Sequence, residues 1–212
     1  MLLEMQRGKS LPDMVARGTA LSACAEGSRW DLALCMLGGM RLAQQTPNVV
    51  AYGATLAALE AGGHWERALA LLASMAAAGP RPNAVACTAA VGACGTASRW
   101  EHALALLGLI DRPDALPFNA ALTACGRAAR WEQALALLGL VARAALEPTA
   151  VTSSAALLAL LAGGRLQEAM GMYRQDVETG SLPDPWKGDR VLDLHGLPTE
   201  VALVAVMAAL AD

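Results

Sequence analysis

A chain of 212 residues that is 55% apolar but only 4% aromatic has room for one or two ordinary domains. It draws most of its apolar mass from Ala and Leu, which lose little on entering a helix. That mix argues against a β-rich fold, which wants more Tyr, Phe and Ile, and a net charge of −3 excludes bulk electrostatic attraction to nucleic acid.

Smaller counts narrow the class further. Lys9 and Lys187 are the only lysines, so the cations are nearly all arginine, a side chain suited to forked and stacked local contacts. The longest charge-free apolar run, 149–164, is too short to span a bilayer and carries Thr152, Ser153 and Ser154. The mean hydropathy of +0.39 therefore reads as a soluble helical core. Five cysteines without a Cys-x-x-Cys pair fit a reducing compartment better than a disulfide framework. Residues 1–8 carry Glu4 within their apolar stretch, unlike a secretory signal.

Residues 2–13, "LLEMQRGKSLPD", end in a helix breaker that returns as "TPN" at 46–48, "GPRPN" at 79–83, "DRPD" at 111–114, "EP" at 147–148 and "LPD" at 182–184. Between the first two breakers, "TALSACAEG" and "RWDLALCML" predict two short helices joined by a turn. The next interval repeats this with "ATLAALEAGG" and "HWERALALL". The third has "AAVGACGTA" and "RWEHALALL", the fourth "AALTACGRA" and "RWEQALALL", and the fifth "AALLALLAGG" and the diverged "RLQEAMGMY". Trp30, Trp65, Trp100 and Trp131 mark one column, continued by Leu166.

In the third copy Trp100, Ala103, Leu104, Leu107 and Ile110 recur at three- and four-residue steps, the mark of a buried stripe. Ser28 with Asp31, and Ser98 with Glu101, match a capping box. Two short helices cannot close a core alone, so the pattern predicts an all-α solenoid in which neighbouring hairpins stack. The tryptophans are expected in that core. Cys24, Cys94 and Cys125 share a column with Leu59 and Leu160, as small packing residues do and metal ligands do not. Arg29, His64, Arg99, Arg130 and Arg165 fill another column, open to two readings: a basic stripe near phosphates, or solvated helix starts.

The period of 35, the helical pairs and the Pro-Asn or Pro-Asp endings resemble the pentatricopeptide repeat family; "VVAYGATLAALEAGGHWERALALLASMAAAGPRPN" at 49–83 is close to its consensus. The resemblance implies a right-handed superhelical solenoid with repeats at 14–48, 49–83, 84–114 (a short variant), 115–149 and 150–184. Residues 1–13 would be the tail of an incomplete repeat. It further implies single-stranded RNA as partner, with about one base read per repeat, and no cofactor or metal. Other RNA-processing proteins are further partners of such arrays, and no membrane is involved.

In this family the fifth and last residues of a repeat read the base, and an apolar second residue packs on it. The fifth/last pairs here would be Gly18 with Asn48, Gly53 with Asn83, Thr88 with Asp114, Asn119 with Thr149, and Ser154 with Asp184. The second positions would be Val15, Val50, Val85, Leu116 and Val151. The implied preference, 5′ to 3′, is any, any, G, pyrimidine, G, because glycine has no side chain with which to bond a base edge. Asn and Asp at the repeat ends equally suit a turn, where they bond their own backbone.

After Asp184 the language changes. "VLDLHG" at 191–196, followed by Thr199 and an Ala-rich helix, resembles the opening of a small MutS-related (Smr) domain. The resemblance implies that 185–212 is a linker plus the first strand and helix of an incomplete α/β domain. Asp193 and His195 match that family's proposed functional residues. Two such residues make no active site without partners, so no enzyme activity is expected of this chain. The alternatives are a tetratricopeptide-like protein-interaction scaffold, or an RNA endonuclease if a complete Smr domain exists in a longer parent. The expected setting is RNA processing or stabilisation in an organelle, a chloroplast before a mitochondrion, with the targeting segment not visible.

Overall fold

The computed structural model describes residues 14–78, 80–185, 192, 194 and 197–211. The proposed tail at 1–13 lies outside them, as do Asp193 and His195. Eleven helices run in chain order among the described residues: α1 Met14–Glu26, α2 Trp30–Leu42, α3 Val49–Ala61, α4 Trp65–Ala78, α5 Ala84–Thr96, α6 Trp100–Leu107, α7 Ala115–Arg127, α8 Trp131–Arg143, α9 Ala150–Ala162, α10 Leu166–Glu178 and α11 Thr199–Ala211. No strand occurs among those residues. Of the strand expected at 191–194, only Leu192 and Leu194 are described, the former in an isolated bridge.

The odd-numbered helices α1 to α9 stack on one another in series, and each even-numbered helix packs on its own hairpin partner and on the next odd-numbered helix. The result is two layers, with the odd helices continuous and the even helices on one side. The difference is written in composition. Helix α5, "AVACTAAVGACGT", is buried from Ala89 to Gly95 without a break, whereas α8 buries only Ala134, Leu137 and Val141 on one stripe. A helix wrapped on most sides needs apolar residues all round; one resting on a surface needs a single stripe.

Gly95 and Gly126 permit the closest helix approaches. A Cβ on Gly95 would stand 2.6 Å from the Ala120 carbonyl oxygen, and one on Gly126 would stand 2.9 Å from that of Ala155. Glycine costs about 1 kcal/mol inside a helix; here it lets α5 meet α7 and α7 meet α9.

The turns within hairpins correct one expectation. Ser28 and Ser98 are not capping residues: they hold φ of 51° and 58°, and Ala129, Gly63 and Gly164 at the same repeat position share that left-handed conformation. The residue closes the first helix. Ser98 N–H donates to the Gly95 carbonyl, and the next residue, Arg99, donates to Cys94, satisfying two helix-end carbonyls. The following helix then begins at Arg29, Arg99, Arg130 or Arg165 with no side-chain cap bond.

Helix α11 makes contacts of the kind an eleventh array helix would make: it packs on α9 and α10. Val201, Val204, Ala205 and Ala208 are buried against Leu157, Leu160, Met170 and Tyr173. This helix, expected to open a second domain, covers the apolar end of the array formed by α9 and α10.

Candidate nucleic-acid interface

Each odd-numbered helix from α3 to α9 is capped by the residue that ends the preceding repeat. Asn48 Oδ1 accepts from Ala51 N–H at 2.9 Å, and Asn83 Oδ1 accepts from Ala86 N–H at 2.9 Å. Asp114 Oδ1 accepts from Leu116 N–H at 3.1 Å. Thr149 forms a reciprocal box with Thr152. The local-backbone reading thus holds for Asn48, Asn83 and Asp114, and Thr149, which that reading did not cover, caps its helix as well. Capping leaves the Asn NH2 groups and the second Asp114 oxygen, on exposed side chains, without a hydrogen bond among the described residues, because a cap occupies only one acceptor.

Beside these caps lies a stripe that a soluble helix has no internal reason to carry. Val50, Val85, Leu116 and Val151, the second residues of successive repeats, are 63%, 67%, 66% and 58% exposed. Each sits in the first turn of its helix, next to a polar cap. The side chain of Val15 lies outside the described set. Recurrence of an exposed apolar residue at one column, in helices whose other faces are buried, makes a row of flat contact points.

The fifth residues stand one turn further along. Thr88, Asn119 and Ser154 are half-buried. In the fourth repeat the fifth and last residues touch: Asn119 Nδ2 donates to Thr149 Oγ1 at 3.4 Å, while Thr152 Oγ1 donates to Asn119 Oδ1 at 2.7 Å. The Asn119 carboxamide is thereby held in one orientation. Ser154 Oγ donates to the Ala150 carbonyl at 2.6 Å, which leaves its lone pairs as acceptors. The Thr88 hydroxyl makes no hydrogen bond among the described residues. Asp184 is exposed, and its charge adds to the burial that pushes the Tyr173 phenol up.

Gly18, Asn48 and Val50 line one cleft of about 570 Å³ between α1 and α3. A Cβ added at Gly18 or at Gly53 would meet open space. Arg17 also lines the cleft and is only 6% exposed. Sequence reasoning missed it, although its column elsewhere holds Tyr52, Cys87, Phe118 and Ser153; a charge among residues of that kind was the available signal. The locking role of Thr152 was missed too, since its partner comes from the preceding repeat.

The arginine column has a use neither sequence reading proposed. The guanidinium carbons of Arg99, Arg130 and Arg165 lie 4.8, 5.1 and 4.3 Å from the ring centres of Trp65, Trp100 and Trp131, each in the preceding repeat. At the first junction the His64 ring lies tilted against Trp30, centroids 4.2 Å apart, with the Arg67 guanidinium carbon 4.4 Å from the same ring. The tryptophans are half-buried platforms between repeats rather than interior residues. This ladder runs along the far ends of the array helices, about 20 Å from the caps for a 13-residue helix. Arg29 and Arg165 are further paired with Asp31 and Glu168, which offsets part of the positive charge on that edge.

Cys94 and Cys125 are buried, and burial pushes their thiols up to about 11, which keeps them protonated and unreactive at neutral pH. No group of three His, Cys, Asp or Glu suited to a metal occurs among the described residues, and no helix there is long and apolar enough to cross a membrane.

No family model matches the chain, and no curated protein does. Solved structures do. The pentatricopeptide repeat protein PPR10 from maize is 26% identical over 84% of this chain, with a TM-score of 0.62. The chain folds as a pentatricopeptide repeat array. PPR10 in complex with an 18-nt psaJ RNA element matches 87% of the chain at 24% identity and a TM-score of 0.61. The pentatricopeptide repeat domain of Arabidopsis thaliana protein-only RNase P 1, in complex with tRNA, matches 76% of the chain and 88% of that domain at 13% identity and a TM-score of 0.65. The chain spans 26% of the maize protein's length. None of these similarities bears on an Smr domain.

Proposed function

We propose that the array binds single-stranded RNA with about one base per repeat. The observation that carries this reading is the exposed row Val50, Val85, Leu116 and Val151, set beside exposed polar last residues whose caps occupy only one acceptor. A base packs its face on the apolar residue and turns its edge to the fifth and last side chains. Similar arrays occur in complex with RNA, an 18-nt element in PPR10 and tRNA in the RNase P domain, which supports the reading.

Each repeat then has a stated chemistry. Guanine offers two donors, N1–H and N2–H2, to a carboxylate, which suits Asp114 beside Thr88 and Asp184 beside Ser154. The fixed Asn119 carboxamide suits the smaller pyrimidines. The preference in the third to fifth repeats is G, pyrimidine, G. Stacked bases contribute roughly 1–3 kcal/mol each, and a chain of net charge −3 adds little through phosphates, so affinity is modest and falls only gently with salt. The working setting is organellar RNA processing or stabilisation, by binding and without catalysis.

The deciding experiment is Thr88→Asn, read by fluorescence anisotropy on RNAs altered at one nucleotide. The preference at that nucleotide moves from guanine toward uracil and the neighbouring positions keep theirs. An unchanged base ranking overturns the assignment.

A further inference from the structure

We infer that the cleft between α1 and α3 is a guanine pocket with Arg17 as its specificity-determining residue, so the first repeat selects a base despite the glycine at its fifth position. The inference rests on the RNA-binding reading and refines it. Its starting point is a buried charge. Arg17 is 6% exposed, yet it has no hydrogen bond or ion pair among the described residues. An arginine withdrawn from water and left without acceptors is costly, and a ligand that supplies acceptors relieves that cost. Arg17 lines the cleft of about 570 Å³ that Gly18, Asn48 and Val50 also line, which is where a base is expected.

Gly18 opens the way to it. With no side chain there, and open space where its Cβ would be, a ligand reaches past the fifth position to the fourth. The second repeat shows the contrast. Gly53 is equally bare, but the residue before it is Tyr52, fully buried, with its hydroxyl already accepting from Arg41 at 2.6 Å. Among the described residues, the first repeat alone combines the missing side chain with a donor fork that has no partner there.

The cleft also selects among acceptors. Glu26 lines it, nine residues along the same helix from Arg17, about 13 Å by helical rise. A phosphate would meet that carboxylate as a like charge. A ligand is favoured that has acceptors at one end and donors at the other. Guanine is such a base: O6 and N7 accept the arginine fork, and the N2 amino group, across the ring from N7, is the donor left for a carboxylate such as Glu26. Adenine turns its N6 donor toward Arg17. Cytosine carries its donor and acceptors on one short edge and cannot span the two groups.

The test uses labelled pentamers 5′-XUGUG-3′ with the full chain, X being each of the four bases, read by anisotropy. Guanine at X binds about tenfold or more tighter than adenine, the discrimination of one good bidentate pair. Substituting 7-deazaguanine at X, which removes N7 and leaves the protein untouched, weakens binding severalfold. Arg17→Met abolishes the preference at X while the preference for guanine at the third nucleotide stays. Equal binding of all four bases at X, with the third-nucleotide preference intact, overturns this proposal alone. So does an Arg17→Met loss that is uniform across bases, which would mark a phosphate contact. No binding of any pentamer overturns this proposal and the RNA reading together.

Discussion

Ala129 and Ala145 hold φ of 55° and 53°, a region where a Cβ costs about 1–2 kcal/mol. Each closes a helix with paired end bonds, Ala129 N–H to the Gly126 carbonyl and Ala145 N–H to that of Ala142. The same turns in other repeats use Gly63, Gly164 and Gly180. The double change Ala129→Gly, Ala145→Gly therefore removes strain without touching a contact. After the entropy glycine costs the unfolded chain, it stabilises by roughly 1 kcal/mol and raises the unfolding midpoint by about 2–4 °C, measurable by circular dichroism. Here the sequence was half legible. The turns were visible from "GSR" and "AAR", but serine followed three residues later by an acid satisfies the capping-box pattern as well as the real arrangement does. What decided between them was backbone geometry, which residue spacing does not carry.

At the scale of elements, the array depends on glycines placed where helices meet. Gly95→Ala drives a methyl into the Ala120 carbonyl at 2.6 Å; a backbone atom cannot swing aside. The expected cost is about 1–3 kcal/mol despite alanine's better helix propensity, seen as a lower denaturation midpoint. Gly92→Ala makes a useful comparison, because the atom it meets is the end of the Glu60 side chain, which can rotate. A smaller loss there than at Gly95 is the expected order. Helix positions and the 35-residue period were legible because they come from local periodicity. The Arg–Trp ladder was not, since each contact joins residues 30 or 34 positions apart through a geometry only the stacked hairpins define. The same reason hid the hold of Thr152 on Asn119. Arg17 was legible in principle, as a cation in a column of otherwise uncharged residues.

At the scale of the whole molecule, two adjoining clusters of buried residues hold the array, and α11 covers the second of them. Val204→Asp places a charge at a fully buried site against α9 and α10, a loss of several kcal/mol by desolvation. The expected result is undocking of α11, a drop of roughly 5 °C or more in the unfolding midpoint and stronger binding of a hydrophobic dye. Base preferences in the third and fourth repeats should survive, since their side chains lie on other helices. A variant that loses both stability and base ranking would tie α11 to recognition itself.

The seat that α11 occupies also sets a rule for anyone wishing to lengthen the array. New hairpins spliced after position 184 would compete with a helix already resident there, and the join would be contested from the outset. Hairpins inserted between two existing ones meet no such rival, because the junctions from the second repeat onward offer the same pair of faces and the same arginine-on-tryptophan clasp. Extension belongs in the middle of this protein, with its terminal stopper left in place.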